Sequence, residues 1–220
     1  MGNLVFLAII GVVQFIVLLT FHEWAHAKTA NMLGDPTAER MGRMSLNPAV
    51  HIDILGTVIM PLIGLLGGIG FGWAKPVPVD PRNLSQPKRD MMLIAGAGPA
   101  INIFCAFLIF VLARVLKEGG ILSSPTVFIL LQRTGFISVI LAVFNMLPLY
   151  PLDGYSVLYG LLPLNTARKF SRFQQYGMPI LMVLLFVPHL LRLPSPLRFL
   201  VYVAQAICWL LGLLVGYPLT

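Results

Sequence analysis

Phe15-Ile16-Val17-Leu18-Leu19-Thr20-Phe21-His22-Glu23-Trp24-Ala25-His26 closes an apolar run that begins near Leu4, and it ends on three polar side chains in five residues. On an α-helix the first and fifth residues of such a pentapeptide share a face one turn apart. His22 and His26 can therefore aim two imidazoles at one Zn²⁺, with Glu23 beside the ion as an acceptor of protons rather than a ligand. A glutamate and two histidines are costly in a lipid-facing segment and mark a functional interior there.

The composition places this cluster in a membrane. The chain has 220 residues, of which 58% are hydrophobic and only 10% charged, with a mean hydropathy of +0.88, far more apolar than a soluble domain. Apolar stretches fall at residues 4–21, 54–72, 91–113, 125–149, 176–191 and 197–216, and a span needs roughly 20 such residues. The reading is an all-α polytopic membrane protein with about 5–6 transmembrane segments and a re-entrant or short β element. It forms one domain over residues 1–220, with a catalytic core over 4–160 and further helices over 174–216. No basic region precedes the first run and no small-residue cleavage site follows it, so that run is read as a retained helix, not a signal peptide.

The net charge of +7 does not indicate nucleic acid, because the basic residues lie between the apolar runs, as in cytoplasmic loops. Lys28, Arg40 and Arg43 follow the first run and put the pentapeptide toward the cytoplasmic side. Lys75, Arg82, Lys88 and Arg89 put residues 73–90 on that side too. The run from Ile54 to Gly72 must then leave and return on one side. Its Pro61, Gly64, Gly67, Gly68 and Gly70 suit a re-entrant or broken segment, against the competing reading of a plain crossing. Only the re-entrant version delivers Asn145–Gly154 to the same side as His22. The proline-rich stretch 73–79 reads as an extended edge strand or loop. Cys105 and Cys208 sit in apolar helices and read as core residues, and Arg133 as a side chain snorkelling outward.

A catalytic zinc site takes three protein ligands, so two histidines leave one to find. Glu39, beside Arg40, reads as a solvated loop charge. Asp153, an acid among apolar spans between Pro151 and Gly154, is the better candidate; its competing role is to cap the helix that begins near Gly154. His51 and Asp53 read as a turn or helix cap, or as site-lining residues, and His189 as structural.

His22-Glu23-Trp24-Ala25-His26, taken with Asn145-Met146-Leu147-Pro148 and Leu152-Asp153-Gly154, resembles the site-2 protease family of intramembrane zinc metalloproteases. The similarity spans roughly residues 15 to 160 and includes Gly96-Ala97-Gly98-Pro99-Ala100-Ile101-Asn102, which resembles the family's glycine-proline-asparagine helix. The resemblance implies His22, His26 and Asp153 as ligands of one Zn²⁺ per chain and Glu23 as the catalytic base. It implies transmembrane protein substrates cut in or near their spans, in a prokaryotic cell membrane. Many relatives insert a PDZ domain or append a CBS domain; only about ten residues, Lys117 to Thr126, stand at the first of these places here, as in a minimal type.

Within that reading Asn145 is placed to bond a substrate backbone or an oxyanion, or else to satisfy local backbone. Asn102 is placed to hold a ligand from behind, or else to join helices as polar glue. Residues 73–79 could hold a substrate extended. The alternative from another class is a metal-binding membrane protein without hydrolysis, a divalent-metal transporter or a pseudoprotease. Such a protein needs the histidines and Asp153 but not Glu23.

Overall fold

In the computed structural model residues 2–62, 72–121 and 124–216 are described, with side chains from residue 9 onward. Long apolar sequence without interior breaks gives helix α1, Gly2–Met32, which ends before Gly34 at φ +105° and the Asp35-Pro36 stop. A short turn, α2 (Thr37–Arg40), follows. The remaining helices are α3 (Pro87–Glu118), α4 (Pro125–Asn145), α5 (Asp153–Leu161), α6 (Leu164–Ser171), α7 (Gln174–Leu190) and α8 (Phe199–Val215). No strand occurs among the described residues, so the protein is an all-α polytopic membrane protein.

Helix α3 is the axis of the assembly. It packs on α1, α4, α5 and α8, and Ala106 and Phe110 bury themselves with Val139 of α4 and Ala204, Cys208 and Leu211 of α8. A second core joins Leu18 and Leu19 of α1 to Leu141 of α4 and Ala74. The outward stripes Ile9, Val13, Val17 on α1 and Phe104, Leu108, Leu112, Val115 on α3 are exposed. Exposed apolar rows at helical spacing are what a lipid-facing surface requires. Both cysteines are free, and Cys208 lies in the core as expected.

Among the described residues four helices are long and apolar enough to cross a membrane: Ile9–Met32, Pro87–Glu118, Pro125–Asn145 and Pro196–Val215; α6 and α7, bent by 57° at their break, make a fifth if counted as one span. Counted so, the described residues hold four or five spans, at the lower end of the expected range. Helix α7 has only 17 residues and contains Pro179 and Pro188. The run from Ile54 is described only at its two ends. It opens as a π-helix over Ile54–Ile59, capped by Asp53, whose side chain accepts from the Gly56 N–H, and the chain returns to that place. The Trp73 N–H donates to the Gly56 carbonyl at 3.0 Å and Thr57 Oγ1 donates to the Trp73 carbonyl at 2.8 Å. The two ends of the run meet, as a re-entrant segment demands; Gly64, Gly67, Gly68 and Gly70 lie outside the described residues.

Residues 72–80 take no regular secondary structure and form no ladder, with Asp80 extended at the end. They are pinned instead by single bonds: the Lys75 N–H to the His51 carbonyl at 2.9 Å, Arg43 Nη2 to the Lys75 carbonyl at 2.7 Å, and the Asp80 N–H to Asp35 Oδ2 at 2.8 Å. Pro76 and Pro78 have no N–H, so a continuous ladder cannot form.

Asp35 is the knot of this region. It is fully buried and accepts from Asp80 N–H, Thr37 N–H, Thr37 Oγ1 and Asn83 Nδ2. Burial opposes its ionisation, but these hydrogen bonds outweigh it and hold the carboxyl below the usual carboxylate range. A depressed carboxylate stabilises the fold above its unfolded value, near pH 4, and that contribution is lost as pH falls through the folded value. Asp35→Ala is therefore expected to cost about 1–3 kcal/mol at neutral pH by stranding buried donors. Wild-type thermal stability should decline below about pH 4, and the variant's should decline less. Unfolding followed in detergent from pH 7 to pH 3 checks both.

Candidate metal centre

The pentapeptide lies inside α1, so His22 and His26 stand one turn apart with ring centroids separated by 4.6 Å and planes nearly perpendicular, at 87°. Both are buried, as is Glu23. Asp153 comes from the other end of the chain. Helix α4 ends at Asn145, the connection turns through Pro148 and Pro151, and α5 begins at Asp153. Gly154 lets this turn close: a Cβ there would stand 2.2 Å from the Met146 carbonyl oxygen and 2.4 Å from that of Leu147. Lys88 fixes the far end of α5, donating to the carbonyls of Gly160 and Leu162 at 2.7 and 2.6 Å.

The carboxylate arrives at the imidazoles. His22 Nε2 is 3.0 Å from Asp153 Oδ2 and His26 Nε2 is 3.3 Å from Asp153 Oδ1. The N-cap position of α5 is held by Leu152, and Asp153 is the first residue inside the helix. The cap reading is set aside, and the side chain points at the histidines instead.

Protons decide what can sit among these atoms. His26 Nδ1 lies 2.7 Å from the Ile94 carbonyl; a carbonyl only accepts, so Nδ1 carries the hydrogen. In the neutral ring Nε2 then turns its lone pair toward a carboxylate oxygen. His22 has the side-chain amide of Asn102 behind it, at 3.2 Å from Nδ1, and Asn102 Oδ1 is buried without a partner. With the amide turned by half a revolution, Nδ1–H donates to Oδ1 and His22 Nε2 is likewise left as an acceptor. Asp153 Oδ2 is also buried, with no hydrogen bond of proper geometry despite its short approach to His22. With both rings neutral, three acceptors converge here, a set that a metal cation would satisfy.

The space suits a metal ion. A Cβ on Gly98 of α3 would lie 2.5 Å from His26 Nε2 and 2.6 Å from His22 Nε2 and Cε1. Only glycine leaves the volume between the two donor atoms open. One ligand atom from each of His22, His26 and Asp153 lies within 4.8 Å of the others, close enough for one ion to be drawn in among them. Two imidazole nitrogens and a carboxylate oxygen form a donor set typical of catalytic zinc. The residues present fit Zn²⁺.

Around the cluster, Asn102 is held in place from the far side, its carbonyl accepting from Ser138 Oγ of α4 at 2.7 Å. Glu23 Oε2 accepts from the Val77 N–H at 3.1 Å, which brings segment 72–80 against the site. Asn145 is at the end of α4 and its Nδ2 donates back to the Leu141 carbonyl at 2.9 Å; no bond ties it to His22, His26 or Asp153. Glu39 is exposed and accepts from Asn31 Nδ2, away from the cluster. His51 is buried beneath the segment with Nε2 on the Ser45 carbonyl, a structural placement. The Ile94 carbonyl and the Val77 N–H are site groups that residue types cannot reveal, since every non-proline residue carries both. Gly98 was visible only as one of several small residues in Gly96–Ala100.

Comparison with known proteins points the same way. Residues 120–188 match the model of Peptidase family M50. The chain is 35% identical over 181 residues to "Putative zinc metalloprotease YwhC" of Bacillus subtilis, covering 80% of each chain. It is 33% identical over 187 residues to "Putative zinc metalloprotease Rip2" of Mycolicibacterium smegmatis, covering 84% of this chain and 69% of that one. It is 44% identical over 66 residues to "Putative zinc metalloprotease MJ0611" of Methanocaldococcus jannaschii, about 30% of each chain. No solved structure matches it.

Proposed function

From the premise that this chain belongs to peptidase family M50, the site-2 protease family of zinc metalloproteases, we propose that it is an intramembrane endopeptidase. It cuts peptide bonds in or near transmembrane segments of membrane-protein substrates, with His22, His26 and Asp153 holding one Zn²⁺ and Glu23 acting as base. The observation that carries this is the convergence of His22, His26 and Asp153, whose ligand atoms lie within 4.8 Å of one another and whose His–Asp contacts are 3.0 and 3.3 Å, one residue from a buried Glu23, among helices built to face lipid.

Bound there, zinc supplies Lewis acidity: it polarises a peptide carbonyl and lowers the pKa of water toward roughly 7. Glu23 takes the proton of the attacking water and delivers it to the amine nitrogen as the C–N bond breaks. Ile94 and Asn102 hold the two imidazoles in the tautomer that keeps both Nε2 lone pairs directed at the ion. A helical substrate hides its carbonyls in its own hydrogen bonds and must be drawn out to be cut. Residues 72–80 lie without a ladder beside Glu23, and the main-chain groups not already bonded there are the ones that would hold an extended peptide. The second N–H of Asn145, not needed by Leu141, is the donor available to a substrate carbonyl. The basic residues of the flanking loops support a position of this chemistry toward the cytoplasmic face.

The test is cleavage in a defined membrane. Purified protein in phospholipid vesicles, mixed with a single-span reporter, should release fragments cut in or near the span. A strong chelator should stop cleavage and added Zn²⁺ should restore it. Cleavage that ignores the chelator, or none at all with zinc bound, would contradict the proposal.

A further inference from the structure

We infer that the backbone N–H of Val77 is a positioning group for the catalytic base, holding one oxygen of Glu23 so that the other faces the water. This rests on the reading of Glu23 as base. The Val77 N–H donates to Glu23 Oε2 at 3.1 Å across 54 positions of sequence. It is a hydrogen bond to a charged acceptor, among the stronger kinds, and it occupies one carboxylate oxygen only.

The local sequence is suited to this single contact. In Lys75-Pro76-Val77-Pro78-Val79, the two prolines have no N–H, so Val77 is the sole donor among residues 76–78. Proline on both sides also restricts the backbone to extended conformations and narrows where that donor can point. On either side the chain is anchored. Two residues before, Lys75 donates to the His51 carbonyl and accepts from Arg43 Nη2. Three residues after, Asp80 donates to buried Asp35. The donor therefore stands at a fixed place without the help of the glutamate. A glutamate has three side-chain torsions, and nothing else in the described structure binds its carboxylate. Without Val77 its productive orientation would be one of several.

The step affected is proton transfer, whose efficiency depends on the base lying within hydrogen-bond reach in the right direction. Removing the donor should lower kcat, leave KM alone, and leave the metal ligands and their ion untouched. Val77→Pro does so with little change of backbone, since its neighbours are already prolines. In the vesicle assay kcat is expected to fall by about 10–100-fold, with KM within about twofold, and with zinc content and thermal unfolding as in wild type. If Val77→Pro fails to fold, α-hydroxyvaline incorporated at position 77 replaces the N–H by an ester oxygen and keeps the side chain, with the same expectation.

Three results would overturn the inference: kcat unchanged with zinc bound; KM raised with kcat intact, which would put the N–H on the substrate; or zinc lost from the folded ester variant, which would make the segment a support for the metal site. Wild type and Glu23→Gln run alongside separate the two levels of argument. If these two behave alike, the protease reading fails. If they differ and the position-77 variants match wild type, only the positioning role fails.

Discussion

Glu23→Gln is expected to abolish peptide cleavage while leaving the protein folded and loaded with zinc. Glutamine has the same shape, and its side-chain oxygen can accept from the Val77 N–H as Oε2 does, so the packing around residue 23 has no reason to change. The ligands His22, His26 and Asp153 are untouched. What is lost is the ability to take up a proton, because an amide is not a base at neutral pH. General-base catalysis contributes about 10²–10⁴-fold, and a loss in that range, measured as fragment release in vesicles at equal zinc content, is the expected result. The same variant separates a hydrolase from a non-hydrolytic metal-binding protein. A carrier that holds an ion among two imidazoles and a carboxylate does not need a proton acceptor beside it, and Glu23→Gln would leave its metal handling intact. Equal fragment patterns from wild type and variant, with zinc bound in both, would refute the catalytic role of Glu23.

What could be read from the sequence, and what could not, follows from which groups carry the function. The pair His22 and His26 with Glu23 was legible because helical periodicity alone brings residues four apart onto one face. Asp153 was legible as a charge in apolar surroundings next to turn-forming residues. Its arrival at the histidines, 127 positions after His26, depended on the parity of the spans and on the resemblance to a known family. The glycines and proline of Ile54–Gly72 contradicted its apolar length, and the meeting of Gly56 with Trp73 shows why length was the weaker signal. Hydropathy counts residues that prefer lipid but is blind to which ends of a run meet. For helix α7 the apolar composition was legible, but not the bend of 57° before it, which makes it a span only when joined to α6. The carbonyl of Ile94 and the amide of Val77 left no trace at all, because main-chain groups have no spelling. Residues 73–79 were legible as a loop but not as a strap, since the partners that pin them, His51, Arg43 and Asp35, are scattered through a separate loop.

Gly98→Ala is expected to remove the metal without removing the fold. In an exposed helix the substitution would be mildly favourable, by up to about 1 kcal/mol, because alanine loses less backbone freedom on folding. At position 98 that gain meets a fixed obstacle. The new Cβ would stand 2.5 Å from His26 Nε2 and 2.6 Å from His22 Nε2, well inside contact distance and inside the volume where both nitrogens must share an ion. The rings are not free to step aside, since His26 is held by the Ile94 carbonyl and His22 by Asn102. Either the imidazoles turn away from Asp153 or α3 withdraws from α1, and both outcomes break the donor set. Zinc affinity should drop by at least about 10–100-fold, the loss typical when the surroundings of a metal ligand are disturbed, and cleavage should fall with it. Gly96→Ala is the internal control: it makes the same change two residues earlier on the same helix, where a Cβ meets nothing within 4 Å, and it should keep its zinc. The readout is metal content together with the shift of thermal unfolding on chelation. A protein stabilised by a bound ion loses stability when the ion is withdrawn. Wild type and Gly96→Ala should therefore melt lower in chelator, and Gly98→Ala should melt the same with or without it. If Gly98→Ala binds one zinc and responds to chelator as wild type does, the gap between the two histidines is not where the ion is held.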